Sequence, residues 1–369
     1  MICSVCQKEV KNLHSHMLEK HDQDCDLEIL PDPANVIRKP PTQPYLTLGT
    51  LRVPINQDVD AEACLPLPYG YRLPMHGELA EDVQASLIAL AKRRHTYIWG
   101  DAGAGKDAVV HAWSYMTMTP ALIFQVQPGV DIQSWFFAHE FSKDGTYWKE
   151  GALLTALRDG YVSPISQRRI PYLILITDLD RATSDQMESL RLVMDSISGR
   201  VKGPNGVTYQ VLPGTQIVAT GNTSGGGDVK GKYTSSKVID SSMMDRFQRV
   251  FQFHWMRWED EELVVKDKFP LLVEREAWVF EQVGKATEAL RTAIQAEEIY
   301  AEFSHRGVCT WLGMIEDTLE LNALNLDLLR TTFRVVADKM PDPETREQAY
   351  KIIDPYLKEN ESPVGKRFR

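Results

Sequence analysis

Cysteine is scarce in this chain. Its 369 residues include five, Cys3, Cys6, Cys25, Cys64 and Cys309. They are sparse and odd in number, which argues against a disulfide framework. Long apolar runs are missing too. No stretch approaches the ~18 residues that a membrane span requires, and the opening MICSVCQKEV lacks the apolar core of a secretion signal. No membrane association is therefore expected, and a cytoplasmic location is. A basic excess is also absent: 41 Lys plus Arg stand against 51 Asp plus Glu, a formal net charge of −10. That argues against a nucleic-acid surface spread over the whole chain, though not against a local basic pore. What remains, 43% hydrophobic and 25% charged, is the composition of a globular protein long enough for two or three domains. The basic end Gly365 to Arg369 (GKRFR) reads as a solubilising tail.

Residues 1–22 carry a metal-binding pattern. Cys3 and Cys6 form C-x-x-C, and His16 and His21 follow in LHSHMLEKH, giving C-x2-C-x9-H-x4-H. Two thiolates on a turn and two imidazoles little more than one helical turn apart can close a tetrahedron around Zn2+. A segment this short cannot bury enough apolar area to fold without metal. His14 is a rival to His16, and chance cysteines in an unfolded N-terminus are the alternative to a finger. Lys8, Lys11 and Lys20 are balanced by Glu9, Glu19 and Asp22, and one finger covers only ~3 bp. Protein docking is therefore favoured over DNA reading. Residues 23–70 form a Pro-rich linker (LPDPANVIRKPPTQP) and a β-rich lead-in (YLTLGTLRVPI, LPLPYGYRLP).

From residue 71 to 256 the pattern is α/β. An amphipathic helix is expected over 81–94, a strand over 95–99 (HTYIW), then GDAGAGKD, then a helix over 107–115. Strand, glycine loop and helix in that order define a phosphate-binding loop. Gly100, Asp101, Ala102, Gly103, Ala104 and Gly105, with Lys106, Asp107 and Ala108 opening the helix, would cradle the phosphates of ATP on loop amides and a helix N-terminus. No base-reading residue separates ATP from GTP. Further strands are expected at 121–126, 172–177, 216–220 and 249–255, with helices between several of them, notably 151–158 and 184–198. This is a five-stranded parallel sheet between helices.

One feature of a phosphate loop is lacking. The residue after the lysine is Asp107, where a hydroxyl should hold Mg2+. After the apolar run Leu173 to Ile176 come Thr177 and Asp178, where Asp and then Glu are usual. The hydroxyl and the metal-side carboxylate have changed places. Mg2+ accepts either as a hard oxygen ligand, so Asp107 and Thr177 are expected to share one ion, with Asp178 polarising the attacking water. Two alternatives stay open. In one the site has decayed and binds nucleotide without turnover. In the other register Asp178 is the metal-side carboxylate and Leu179 stands where the base should be.

Five segments carry a family resemblance: GALLTALRDG (151–160), ITDLDRA (176–182), VATGNT (218–223), GDVKGKY (227–233) and MMDRF (243–247). In this order and spacing, over about residues 71–317, the chain resembles the MoxR group of AAA+ ATPases, in particular its CobS-like branch. The resemblance implies a P-loop AAA+ core with an α-helical lid, assembled as a homo-oligomeric, hexameric ring. It implies that Asn222 acts as sensor 1, Arg246 as the arginine finger of a neighbouring subunit, and Arg306 (in FSHRGVCTW) as sensor 2 on the lid. A client or adaptor protein is implied, including one with a metal-dependent adhesion-type (VWA) domain. Cobalt chelation is not. In the group, insertions such as the aromatic-rich 125–148 and the hairpin 199–213 project toward a pore or client, although core packing suits Trp135 and Phe136 equally well. The glycine loop with Lys230 and Lys232 either lines the pore or simply turns. Residues 257–369 are expected to be the helical lid, with helices over 274–303, 306–322 and 344–357.

The expected protein is a Mg2+-dependent ATPase motor carrying a Zn2+ finger. A non-hydrolysing scaffold ring and a nucleic-acid translocase are the alternatives, the second disfavoured by the net charge.

Overall fold

The computed structural model describes residues 45–357, except 50, 128, 130, 144, 195–198, 205, 229–230 and 322–327. The expected zinc ligands Cys3, Cys6, His16 and His21, the linker up to residue 44, Lys230 and the basic tail lie outside the described residues.

The described chain enters through an antiparallel hairpin, β1 (Tyr45–Leu48) and β2 (Leu51–Pro54). Leu48 and Val53 are buried in one cluster with Leu79, Val83 and Leu87 of α1 (Gly77–Ala91). The lead-in is therefore part of the core's packing. Next come β3 (Thr96–Gly100), α2 (Lys106–Thr117) and β4 (Ala121–Gln125). An excursion follows: the short α3 (Gln133–Phe136), an antiparallel pair β5 (Phe137–Ser142) and β6 (Gly145–Glu150), and α4 (Ala152–Asp159). A small hairpin, β7 (Tyr161–Val162) and β8 (Arg169–Ile170), leads to β9 (Leu173–Thr177) and α5 (Ser184–Met194). The hairpin expected over 199–213 is present as β10 (Arg200–Lys202) and β11 (Thr208–Gln210). Then come β12 (Gln216–Gly221), α6 (Ser241–Met244) and β13 (Arg249–Phe253).

Five of these strands form one sheet in the order β13-β3-β12-β9-β4, and every neighbouring pair is parallel. The physical cause is visible in β9. Its five residues, LILIT, are all buried. Leu173 and Leu175 face the cluster that holds α1 and α2, while Ile174 and Ile176 face the one that holds α4 and α5. Alternate residues cover opposite faces, so a strand with helices on both sides is apolar along most of its length, here Leu173 to Ile176.

The aromatic-rich insertion divides between core and surface. Phe136 is buried, and Trp135 packs on Phe124 with ring centroids 5.1 Å apart. Phe141, near the end of β5, is 81% exposed, and Tyr147 and Trp148 on β6 are also exposed.

The rest of the described chain is helical: α7 (Trp258–Lys268), α8 (Pro270–Arg275), α9 (Trp278–Gln295), α10 (His305–Glu320), α11 (Leu328–Ala337) and α12 (Pro343–Ile353). The single helix expected over 274–303 is two. The chain breaks after Arg275, and α9 ends at Gln295, followed by Glu297 at φ 60°. A non-glycine residue in that left-handed region cannot continue a helix. Apolar spacing ran through both breaks because the flanking loops are packed as well. Trp311, Phe303 and Phe333 centre the lid core, with Trp311 and Phe333 rings 4.9 Å apart and edge-on.

Candidate functional site

The phosphate cradle is built where β3 meets β13. Gly100 sits at φ +145°, and a Cβ there would lie 1.9 Å from Phe253 O. Only glycine lets the two strands run this close into the loop. Gly103, at φ +73°, would bring a Cβ within 2.7 Å of Ser304 Cβ, immediately before α10. The lid therefore seats directly on the loop. The helix α2 starts at Lys106, so its N-terminal amides and dipole open on the cradle.

Lys106 Nζ donates to Gly100 O (2.9 Å), Asp101 O (2.9 Å) and Asn222 Oδ1 (3.1 Å). The loop lysine and the residue expected as sensor 1 are thus brought together. Burial pulls the lysine's pKa down, and the carboxylates of Asp107, Asp101, Asp180 and Asp178 oppose that. Its ammonium is held by two loop carbonyls and the Asn222 amide oxygen.

Asp107 lies in the first turn of α2, and its Oδ1 accepts a 2.7 Å hydrogen bond from Thr220 Oγ1. Thr177 ends β9, is buried, and its carbonyl accepts from Val126 N. The hydrogen-bond partner of Asp107 is Thr220 on β12, the strand that stands between β3 and β9. Asp178 follows Thr177 in the left-handed region at φ 57°, which a short polar side chain tolerates. Its carboxylate is 3.8 Å from Arg181 Nε and accepts a long 3.4 Å bond from Gln125 Nε2.

Sequence reasoning missed Asp180. It is fully buried, and its Oδ2 accepts from Asn222 N (2.9 Å), Thr223 N (3.2 Å), Thr223 Oγ1 (3.3 Å) and Ser236 Oγ (2.7 Å). Its carbonyl also accepts from Lys237 N at 2.6 Å. One carboxylate thus fixes both ends of the 222–237 loop and sets the backbone that carries Asn222. Its Oδ1 is buried without a hydrogen-bond partner among the described residues. An acid two residues past the water-side position was the available signal.

The glycine loop does more than turn. Asp228 accepts from the amides of Lys232 (3.0 Å) and Tyr233 (2.5 Å). Lys232 Nζ bonds Asp101 Oδ1 (3.1 Å) and pairs with Glu302 Oε1 (3.3 Å), lying over the rings of Tyr233 and Trp255. Tyr233 OH accepts from Ala102 N (3.2 Å) and donates to Glu302 Oε1 (2.5 Å). Loop, cradle and lid meet in one clasp. Beside it lies a cavity of about 1180 Å³, lined by Asp101, Asn222, Lys232, Tyr233, Trp255 and Tyr300 among others.

Arg246 follows α6, and its Nη1 donates to Ser242 O at 2.6 Å, within its own turn and not to Asp245. Its Nε is buried without a partner among the described residues. Arg306 is exposed in the first turn of α10, two residues from the Ser304 seat. Among the described residues no group of three or more His, Cys, Asp and Glu side chains is placed to hold a metal. No described helix is long and apolar enough to cross a membrane. Thr220 Oγ1 donates a hydrogen bond to Asp107 Oδ1, and Asp107, Thr177 and Thr220 carry hard oxygen donors of the kind Mg2+ takes.

A parallel β13-β3-β12-β9-β4 sheet, a glycine cradle with its lysine, an asparagine at the end of the neighbouring strand and a helical lid define the AAA+ P-loop fold. In agreement, residues 95–247 match the AAA domain of the dynein-related subfamily. Among curated proteins the chain is similar to the aerobic cobaltochelatase subunit CobS of Sinorhizobium sp, 21% identical over 232 residues, covering 63% of this chain and 68% of that one. Among solved structures it is similar to the RuvB Holliday junction branch migration motor of Thermotoga maritima (15% identity, 76% of this chain and 77% of that one, TM-score 0.46). It is also similar to a putative ATPase from Cytophaga hutchinsonii (14% identity, 76% and 92%, TM-score 0.34).

Proposed function

We propose that the chain is a Mg2+-dependent ATPase of the AAA+ class, working as a homo-oligomeric ring that remodels a client protein. The observation that carries the reading is the contact of Lys106 Nζ with Asn222 Oδ1, 3.1 Å apart at the mouth of the glycine cradle. A cation for the phosphates and an amide for the attacking water there occupy one spot, as phosphoryl transfer requires.

In this reading ATP displaces the Gly100 and Asp101 carbonyls from Lys106, and the amides of Gly103 to Lys106 take the phosphates. Asp107 and Thr177 would hold Mg2+, which neutralises phosphate charge. Asp178 accepts a proton from the water that Asn222 positions. Arg246 leaves its Ser242 carbonyl and serves the neighbour's site, and Arg306 serves its own when the lid closes. The exposed aromatics of β5 and β6, with the hairpin β10–β11, are the surfaces offered to a client, for which a VWA-domain protein is one type. The similarity to a cobaltochelatase subunit CobS supports the CobS-like type, and the acidic chain favours protein over nucleic acid as the client. The finger at Cys3, Cys6, His16 and His21 would bind Zn2+ and dock a partner, and a cytoplasmic location fits the whole.

The test is phosphate release from ATP by the full chain with Mg2+, compared with Lys106→Ala. Turnover by the wild type and its loss in the variant, with the ring retained, supports the reading. Tight ATP binding with no release under any assembly state replaces it with a nucleotide-stabilised scaffold.

A further inference from the structure

The lid contains a cluster of reactive groups that the nucleotide chemistry does not use. Cys309 Sγ lies 3.3 Å from His305 Nε2, one turn back on α10. His305 Nδ1 is 2.9 Å from Glu261 Oε1 on α7. Glu261 is fully buried and is gripped by Arg291 of α9 through both terminal nitrogens (2.5 and 3.1 Å). Lys268, also on α7, brings Nζ to 2.9 Å from His305 Nε2 and 3.9 Å from Cys309 Sγ. A thiol, an imidazole against it, and a buried carboxylate orienting that imidazole form a nucleophile, base and orienter in series.

Two nitrogens face the thiol sulfur. Glu261 and Arg291 cancel each other, and of the later acids on α7 Glu262 pairs with Lys266 at 2.8 Å and Asp267 with Arg72 at 2.7 Å. Lys268 and His305 are left facing Sγ. Burial lowers the pKa of His305, but its bonds to Cys309 and Glu261 prevail and raise it to about 9. Cys309 is partly exposed, whereas Cys64 is buried and its thiol is pushed up to about 12 by burial.

We propose that Cys309 is a thiolate modification site that reacts with low-molecular-weight disulfides such as oxidised glutathione. Its proton passes to His305 Nε2, 3.3 Å away. Sγ attacks one sulfur of the disulfide, a new sulfur–sulfur bond forms, the old one breaks, and the other half leaves as a thiolate. Cys309 is oxidised, the departing sulfur is reduced, and no further reactant is needed. The site is independent of ATP turnover and stands whether the chain is a motor or a scaffold.

The experiment incubates the full chain with oxidised glutathione from pH 6 to pH 8 and follows the mixed disulfide at Cys309 by peptide mass spectrometry. The folded chain is compared with the chain in urea and with Lys268→Met and His305→Gln. The proposal expects Cys309 at pH 6 to react at least tenfold faster folded than unfolded, with a rate that changes less than threefold up to pH 8. Each variant should slow the pH 6 reaction about tenfold. A folded rate no higher than in urea, climbing about tenfold per pH unit as for an ordinary thiol, overturns it. The wild-type pH profile decides the matter even if a variant fails to fold.

Discussion

Thr220 Oγ1 donates to Asp107 Oδ1 across 2.7 Å, tying the first turn of the loop helix to the strand that carries Asn222. The hydroxyl nearest the unusual acid therefore comes from β12, between the loop strand and Thr177. Thr220→Val should leave metal-free nucleotide binding unchanged and raise the Mg2+ concentration needed for half-maximal turnover about tenfold. That corresponds to a charge-assisted hydrogen bond of about 1.5 kcal/mol. A Mg2+ titration at saturating ATP reads it, and an unchanged requirement shows that Thr220 does not orient Asp107.

Asp180 is the keystone of the 222–237 loop. Asp180→Ala leaves two backbone amides and two hydroxyls without their acceptor, and should cost about 3 kcal/mol or more in urea unfolding. Asp180→Asn keeps the acceptor oxygen and should cost less, while still lowering turnover because the Asn222 backbone is less tightly held. Equal stability of the two variants contradicts this.

The pH dependence of the lid follows from His305. Its pKa is raised from 6.5 to about 9 in the folded protein. A raised pKa means that its stabilisation is complete below about pH 6.5 and is lost as pH climbs through 9. Glu261 behaves oppositely. Burial would raise its pKa, but Arg291 and His305 outweigh burial and lower it, so its contribution disappears in acid. The melting temperature should fall between pH 6.5 and 9, and His305→Gln should flatten that limb.

Phe136 and Phe141, five residues apart, should respond differently. Phe136→Ala removes a buried ring and should cost about 3–5 kcal/mol. Phe141→Ala changes a ring that is 81% exposed and should shift stability by less than about 0.5 kcal/mol. Urea denaturation distinguishes them, and a large loss for Phe141→Ala means that its ring is packed in solution.

The sheet was legible because strands buried on both faces are mostly apolar runs, as LILI of β9 and IVA of β12 are. The cradle was legible because its glycines have steric reasons that the motif encodes. The Thr220–Asp107 bond was not, since it depends on β12 lying between β3 and β9, an order that periodicity does not contain. Asp180 was hidden for a related reason: a buried acid is recognised by the donors that surround it, and those come from residues 222 to 237. The break between α8 and α9 was hidden because Leu272 and Val279 are both buried, and burial continued across the interruption.

The most direct test of the account is Mg2+-dependent ATP turnover by four chains: wild type, Asp107→Thr, Thr177→Asp, and the double exchange. If Asp107 and Thr177 have traded places around one metal ion, each single change should reduce turnover at least tenfold and the double exchange should restore most of it. If the double exchange is as inactive as the product of its single losses, the two residues do not serve a common ion and the exchanged-site account is wrong.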